Sequence, residues 1–236
     1  MNDTFFFSAP QLKRTPLGSK QSSEMAKQIL ALFGDSILDN APYTRPEPDT
    51  TAHLERLLGE DWAVRRLATD GAVMRDVVGQ LRALRDRPAV AVLSVGGNDA
   101  IEHIGILEQP TVNSGMVLDQ LDAIAASFQQ QYESVVGAVA QNAARVILCT
   151  IYEVQLEPPV FAKRVRVPLA LLNDRILRTA ARLGLDTLEL RSICTEPTDF
   201  VQQIEPSPQG AAKIAKAIAA AVRGDGGLSS GRVFAA

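Results

Sequence analysis

Short apolar runs alternate along this chain with stretches in which hydrophobic residues recur every three or four positions. The run Ile29-Leu30-Ala31-Leu32-Phe33 ends in Gly34, which reads as a buried strand closed by a tight turn. Similar runs predict strands at about 28–33, 62–67, 89–95, 145–150 and 185–190. Between the third and fourth, Leu121, Ile124, Ala125, Phe128, Tyr132, Val135, Val136 and Val139 share one helical stripe, opposite Asp122, Gln129, Gln130 and Glu133. Ala211, Ile214, Ala215, Ile218 and Val222 repeat the pattern in a final helix, its start set by Pro208 and Gly210. Leu172, Ile176, Ala180 and Leu183 describe another helix, residues 73–84 a further one, and residues 49–58 a shorter one ended by Gly59. Strands that are apolar throughout must be covered on both faces. The pattern therefore predicts an α/β fold, a three-layer α/β/α sandwich on a five-stranded parallel sheet. Residues 42–48 and 153–168 are proline-rich, follow strands and are expected as loops rimming a pocket.

Composition narrows this picture. The chain has 236 residues, of which 46% are hydrophobic, enough for one domain with a full core and too few for two. That domain is expected over residues 27–222, between a loosely ordered extension at 1–26 and a flexible Gly-Ser tail at 223–236. A net charge of -3 without a basic cluster argues against nucleic acid; Lys163, Arg164 and Arg166 read as a solvated face or loop end. No stretch approaches the ~20 apolar residues of a membrane span. Phe5-Phe6-Phe7 is too short for the core of an export signal. Cys149 and Cys194 have neither disulfide-framework nor metal-ligand spacing, so a reducing cytoplasm is the expected compartment, and no cofactor or metal is expected.

The candidate chemistry sits at strand ends. Gly34-Asp35-Ser36 follows the first strand, Asp70-Gly71 the second, and Gly96-Gly97-Asn98-Asp99 the third. In a parallel sheet these segments emerge at one carboxyl edge, where such folds bind ligands. A turn there exposes the Ser36 hydroxyl as a candidate nucleophile. Glycines let backbone N–H groups approach a developing oxyanion, and an asparagine amide adds a neutral donor. The Ser36 N–H, the Gly71 N–H and the Asn98 side chain would together form an oxyanion hole. Taken alone, Gly97-Asn98-Asp99 is an ordinary turn, and Gly34-Asp35-Ser36 common punctuation.

With Phe33-Gly34-Asp35-Ser36, Gly71 and Gly97-Asn98-Asp99 in this order, the chain resembles the SGNH or GDSL hydrolases over about residues 27–222. The resemblance implies a flavodoxin-like sandwich that hydrolyses small esters (acyl, acetyl, lipid or carbohydrate), with Ser36 as nucleophile and Ser36, Gly71 and Asn98 as the oxyanion hole. Such hydrolases carry Asp-x-x-His-Pro before the last helix. Here the segment reads Gln202-Gln203-Ile204-Glu205-Pro206, so Gln202 stands at the aspartate position and Glu205 at the histidine position.

A general base works best with a pKa near the working pH, and glutamate at ~4.3 lies about two units below histidine at ~6.5. Burial can raise it. Glu205 is accordingly the first candidate base, His103 the second and His53 the third; the plainer reading of Glu205 is a structural acid near the N-terminus of the final helix. Asp35, Asp39 and Asp99 lack metal-ligand spacing. Tyr43, Tyr152 and Glu153 are candidates for the pocket wall. Two functions follow: a serine esterase with a non-standard base, or a catalytically silent relative that keeps the cleft as a binding site for an ester, acyl or carbohydrate ligand.

Overall fold

A computed structural model describes residues 26–224 and 233–234. Strand β1 (Gln28–Gly34) leads through a single helical turn, α1 (Ala41–Thr44), and helix α2 (Thr50–Leu58) to β2 (Trp62–Arg66). Helix α3 (Val77–Ala83) precedes β3 (Val90–Ser94), and α4 (Gly97–Ile101) and the long α5 (Ser114–Asn142) precede β4 (Val146–Cys149). Helix α6 (Pro159–Leu183), β5 (Asp186–Leu188) and α7 (Leu190–Ile193) follow. A small hairpin of β6 (Phe200–Val201) and β7 (Glu205–Pro206) leads into α8 (Pro208–Arg223), and β8 (Val233–Phe234) lies beyond it.

The main sheet has the order β2-β1-β3-β4-β5-β8, and all its pairs are parallel. The side-chain period of two sorts each central strand between two cores. Leu30, Leu32, Val90, Val92 and Ile147 face Leu54, Ile214 and Ile218 on α2 and α8. Ala31, Phe33, Ala91, Leu93 and Leu148 face Val77, Phe128, Tyr132 and Ile176 on α3, α5 and α6. Both faces are dry, which explains why the strands read as continuous apolar runs. From β1 the chain moves outward to β2 and then returns to β3 on the other side, so the loops leaving β1 and β3 diverge and leave a crevice at their carboxyl ends.

The five expected strands and the α/β/α sandwich are present. Residues 159–168, expected as loop, instead belong to α6, with Pro159 at its first turn and Pro168 inside it. An internal proline removes one backbone hydrogen bond; the helix continues because Leu169, Leu172 and Ile176 next to it are buried in the core. Helix α5 begins a full two turns before its first recognised stripe residue, where Asn113 accepts from the Met116 N–H. The β6–β7 hairpin and β8 carry too few residues for a periodic signal. Residues 1–25 of the expected N-terminal extension lie outside the described residues, as does most of the expected tail. Val233–Phe234 within that tail extend the sheet, and the Phe234 carbonyl accepts from the Glu189 N–H.

Candidate active site

The site begins at the junction of β1 and β3. Gly34 adopts φ +124°, and a Cβ there would sit 1.7 Å from the Ser94 carbonyl oxygen, so only glycine fits. The buried Gln80 side chain from α3 accepts from the Gly34 N–H and donates to its carbonyl, at 2.8 and 2.7 Å. The Asp35 N–H donates to the Ser94 carbonyl, and the Asp35 carbonyl accepts from Leu38 and Asp39, which winds the chain tightly around Ser36. Asn40, itself buried, fixes the end of this turn by bonds to Ile37 and Thr50. Ser36 is thus held on a short, over-determined turn and is itself largely buried.

The loops after β2 and β3 are tied together. Asn98 donates through Nδ2 to the Ala72 carbonyl at 2.9 Å, and both Asp99 carboxylate oxygens accept from the Met74 N–H. The Thr69 N–H reaches the Gly34 carbonyl, and the Asp70 N–H reaches Asp39. Gly71 sits between these anchors at φ +76°. At Gly96, φ +116° and a ring atom of Phe128 at 2.9 Å from a would-be Cβ again demand glycine.

The third wall comes from the hairpin. Glu205 pairs with Val201 across β6–β7, and its turn places Gln202 and Gln203 in the left-handed region, at φ 49° and 72°. Tyr152 donates to the Ile204 carbonyl, while Gln155 and Glu157 donate to Gln203, so the loop after β4 grips the turn. Below it, Ser207 caps α8 by accepting from the Gly210 N–H, and Asp199 bonds Lys213 at 2.7 Å.

These walls enclose a cavity of about 250 Å³ bordered by Asp35, Ser36, Asn98, His103 and Glu205. The Glu205 carboxylate neighbours the Ser36 hydroxyl, which favours its charged form. Burial raises the Glu205 pKa above the usual carboxylate range; the neighbouring Ser36 hydroxyl opposes the rise and the nearby Asp70 charge adds to it. Glu205 Oε2 is buried and has no hydrogen-bond partner among the described residues. Asp35, fully enclosed, is pushed up to about 8, mainly by burial, with Glu205 and Asp99 contributing and the Ile37 N–H opposing. Apart from these groups the cavity wall is apolar, built by Ile104 and Leu107 beyond α4, Ile124 on α5, Ile151 after β4, and Leu169 and Leu172 on α6.

The structure therefore brings Ser36, Asn98 and Glu205 to one cavity. His103 borders the same cavity from an exposed position after α4. His53 lies in α2 and does not border it, and Gln202 is exposed at the hairpin tip. Gly71 is adjacent through the Asn98–Ala72 bond but does not itself border the cavity. Tyr152 lines the cavity; Tyr43 donates to Asp70 at 2.7 Å and Glu153 pairs with Arg166. Gln80 escapes sequence reading, because one buried amide on an amphipathic helix leaves no periodic or motif signal. Among the described residues no helix is long and apolar enough to cross a membrane.

The sequence pattern of the GDSL-like Lipase/Acylhydrolase family matches residues 32–213. No curated protein matches the chain. Solved structures share its fold at low identity. A lipase/acylhydrolase from Enterococcus faecalis superposes with a TM-score of 0.62 at 21% identity, over 84% of this chain and 96% of the other. Phospholipase A1 from Streptomyces albidoflavus NA297 gives 0.61 at 16% identity over 80% and 96%. An acetyl xylan esterase variant from Geobacillus stearothermophilus gives 0.55 at 15% identity over 83% and 94%.

Proposed function

Since the chain belongs to the GDSL-like Lipase/Acylhydrolase family, we propose that it is a serine esterase in which Glu205 takes the place of a histidine base. The observation that carries this reading is that the Ser36 hydroxyl shares the cavity wall with a neighbouring buried carboxylate of raised pKa, whose charged form it favours. Glu205 accepts the Ser36 proton as Oγ attacks the ester carbonyl carbon. The carbonyl oxygen becomes an oxyanion, met by the Ser36 N–H and the Asn98 amide, while Gly71 stands behind them next to the Ala72 that Asn98 holds. One Asn98 N–H already holds the Ala72 carbonyl at 2.9 Å, which fixes the direction of the other. Collapse breaks the bond to the alcohol oxygen, which takes the proton from Glu205 and leaves an acyl-serine. Water, deprotonated by the same carboxylate, then releases the acid and restores Ser36. The apolar wall suits the acyl side of the ester rather than a carbohydrate.

One observation favours the silent alternative. Glu205 Oε2 lacks a hydrogen-bond partner among the described residues, and the ~3 kcal/mol deficit in basicity relative to histidine is offset only by burial and the nearby Asp70 charge. Fluorophosphonate labelling separates the readings. The esterase reading expects covalent labelling of the native protein, none of Ser36→Ala, and cleavage of short-chain aryl esters that Ser36→Ala lacks. Absence of both labelling and cleavage from acid to alkaline pH would leave the binding-protein reading in its place.

A further inference from the structure

Nine large apolar side chains are exposed among the described residues, and six of them fall on two segments that flank the cavity: Ile101, Val112, Met116, Leu118, Val160 and Val167. The remaining three lie apart from it, Leu57 on α2, Val78 on α3 and Leu183 at the far, C-terminal end of α6, as single exposed apolar residues usually do. Ile101 both lines the cavity and is nearly half exposed, which marks the mouth. Leu118 lies one helical turn before the lining residue Leu121, and Val167 one turn before Leu171. The apolar surface thus runs outward from the cavity onto the first turns of α5 and α6. Val112 is 87% exposed, Val167 69% and Leu118 64%, a degree of exposure that soluble surfaces seldom concentrate in one place.

Charge selects among the surfaces that could cover this rim. On α6, Val160, Lys163, Arg164 and Val167 have the spacing of one helix face, and all four are exposed. Arg166 is occupied by Glu153 at 2.9 Å, whereas Lys163 and Arg164 form no ion pair among the described residues. Two cations between two valines form the pattern of a helix that lies at a lipid–water boundary, its aliphatic groups in the acyl layer and its cations at headgroup phosphates. The acids of the rim, Glu102, Glu108, Asp119 and Glu157, lie outside that face, and Glu102 faces Arg75 at 3.8 Å.

We propose that the apolar rim formed by residues 101–118 and the exposed Val160–Lys163–Arg164–Val167 face of α6 docks on a phospholipid surface, with the cavity mouth turned toward it. Docking requires no turnover, so it stands or falls independently of the esterase reading. The test is co-sedimentation of Ser36→Ala, which leaves the lipid intact, with vesicles of phosphatidylcholine alone and of equal parts phosphatidylcholine and phosphatidylglycerol. The expected result is sedimentation with the mixed vesicles. Val112→Glu with Leu118→Glu, and separately Val160→Glu with Val167→Glu, should each lower the bound fraction at least about fivefold. At about 1 kcal/mol per surface cation, Lys163→Ala with Arg164→Ala should weaken binding to mixed vesicles by more than tenfold and to phosphatidylcholine much less. Thermal unfolding of each variant checks that the fold is retained. No sedimentation, or sedimentation that folded rim variants leave unchanged, would overturn the proposal. So would a concentration-dependent dimer that the same glutamates dissociate, because the rim would then be the seat of a second copy.

Discussion

Two carboxyl groups of opposite usefulness flank Ser36. Glu205 must lose its proton to act, and burial raises the pKa at which it does so. Activity is therefore expected to rise with pH through a limb displaced above the ordinary glutamate range, and Glu205→Gln should lower kcat/KM by about 10²–10⁴ and abolish that limb. A limb that survives in Glu205→Gln and vanishes in His103→Ala would transfer the role to His103. Asp35 is the reverse case, since it holds its proton up to about 8 in the fold against 3.8 as a free side chain. Between those values the unfolded chain binds fewer protons, so stability falls as pH rises from about 4 to about 8. Asp35→Asn keeps the oxygen that accepts from Ile37 and has no proton to lose; its melting temperature should fall less than that of the native protein over the same range. A parallel decline in both would show that Asp35 is not the group responsible. At this scale the sequence made Ser36, Asn98 and Glu205 legible through position after strands and before the last helix. It did not disclose Gln80 or the Asp35 burial, which depend on contacts between residues 46 positions apart and on the closure of the cavity.

At the scale of elements, the β6–β7 hairpin decides where Glu205 points. Its turn strains two non-glycine residues into left-handed conformation, and the bonds from Gln155, Glu157 and Tyr152 hold them there. Gln203 contributes its side chain to that grip, whereas the exposed Gln202 side chain bonds to none of the described residues. Gln202→Gly should therefore stabilise the protein by about 0.5–1 kcal/mol, through relief of the left-handed conformation, with no change in kcat/KM; denaturant titration measures the first and a soluble aryl ester the second. A destabilised variant would show that Gln202 itself secures the turn. Regular elements with four or more turns of apolar periodicity were readable in the chain. The first turns of α6 were not, because the prolines at 159 and 168 are loop signals locally and are overruled by the burial of Leu169 and Leu172. Of the two-residue strands, β6 and β7 pair only with each other across a tight turn, and β8 forms because β5, distant in sequence, presents a free edge.

At the scale of the whole molecule, the sheet order creates a crevice and the two helical layers decide what fills it. The α2–α8 layer packs against the sheet, whereas the α5–α6 layer opens beside Ser36 into the apolar cavity of about 250 Å³. An acyl chain lodged there would leave water group by group, at about 0.8 kcal/mol for each buried methylene. kcat/KM should therefore climb by up to about fourfold per methylene along a series of aryl esters from acetate upward, and level off when the cavity is full. Ala100 on α4 lines this cavity and is only partly buried, so Ala100→Trp can fill the space without displacing the sheet. The acetate ester should then be cleaved at near the native rate while the octanoate advantage disappears. A variant that loses acetate and octanoate activity in equal measure would mean that the indole disturbs Ser36 or Asn98 instead. If octanoate keeps its full advantage, the acyl chain lies elsewhere, and the apolar cavity must receive the alcohol side of the ester.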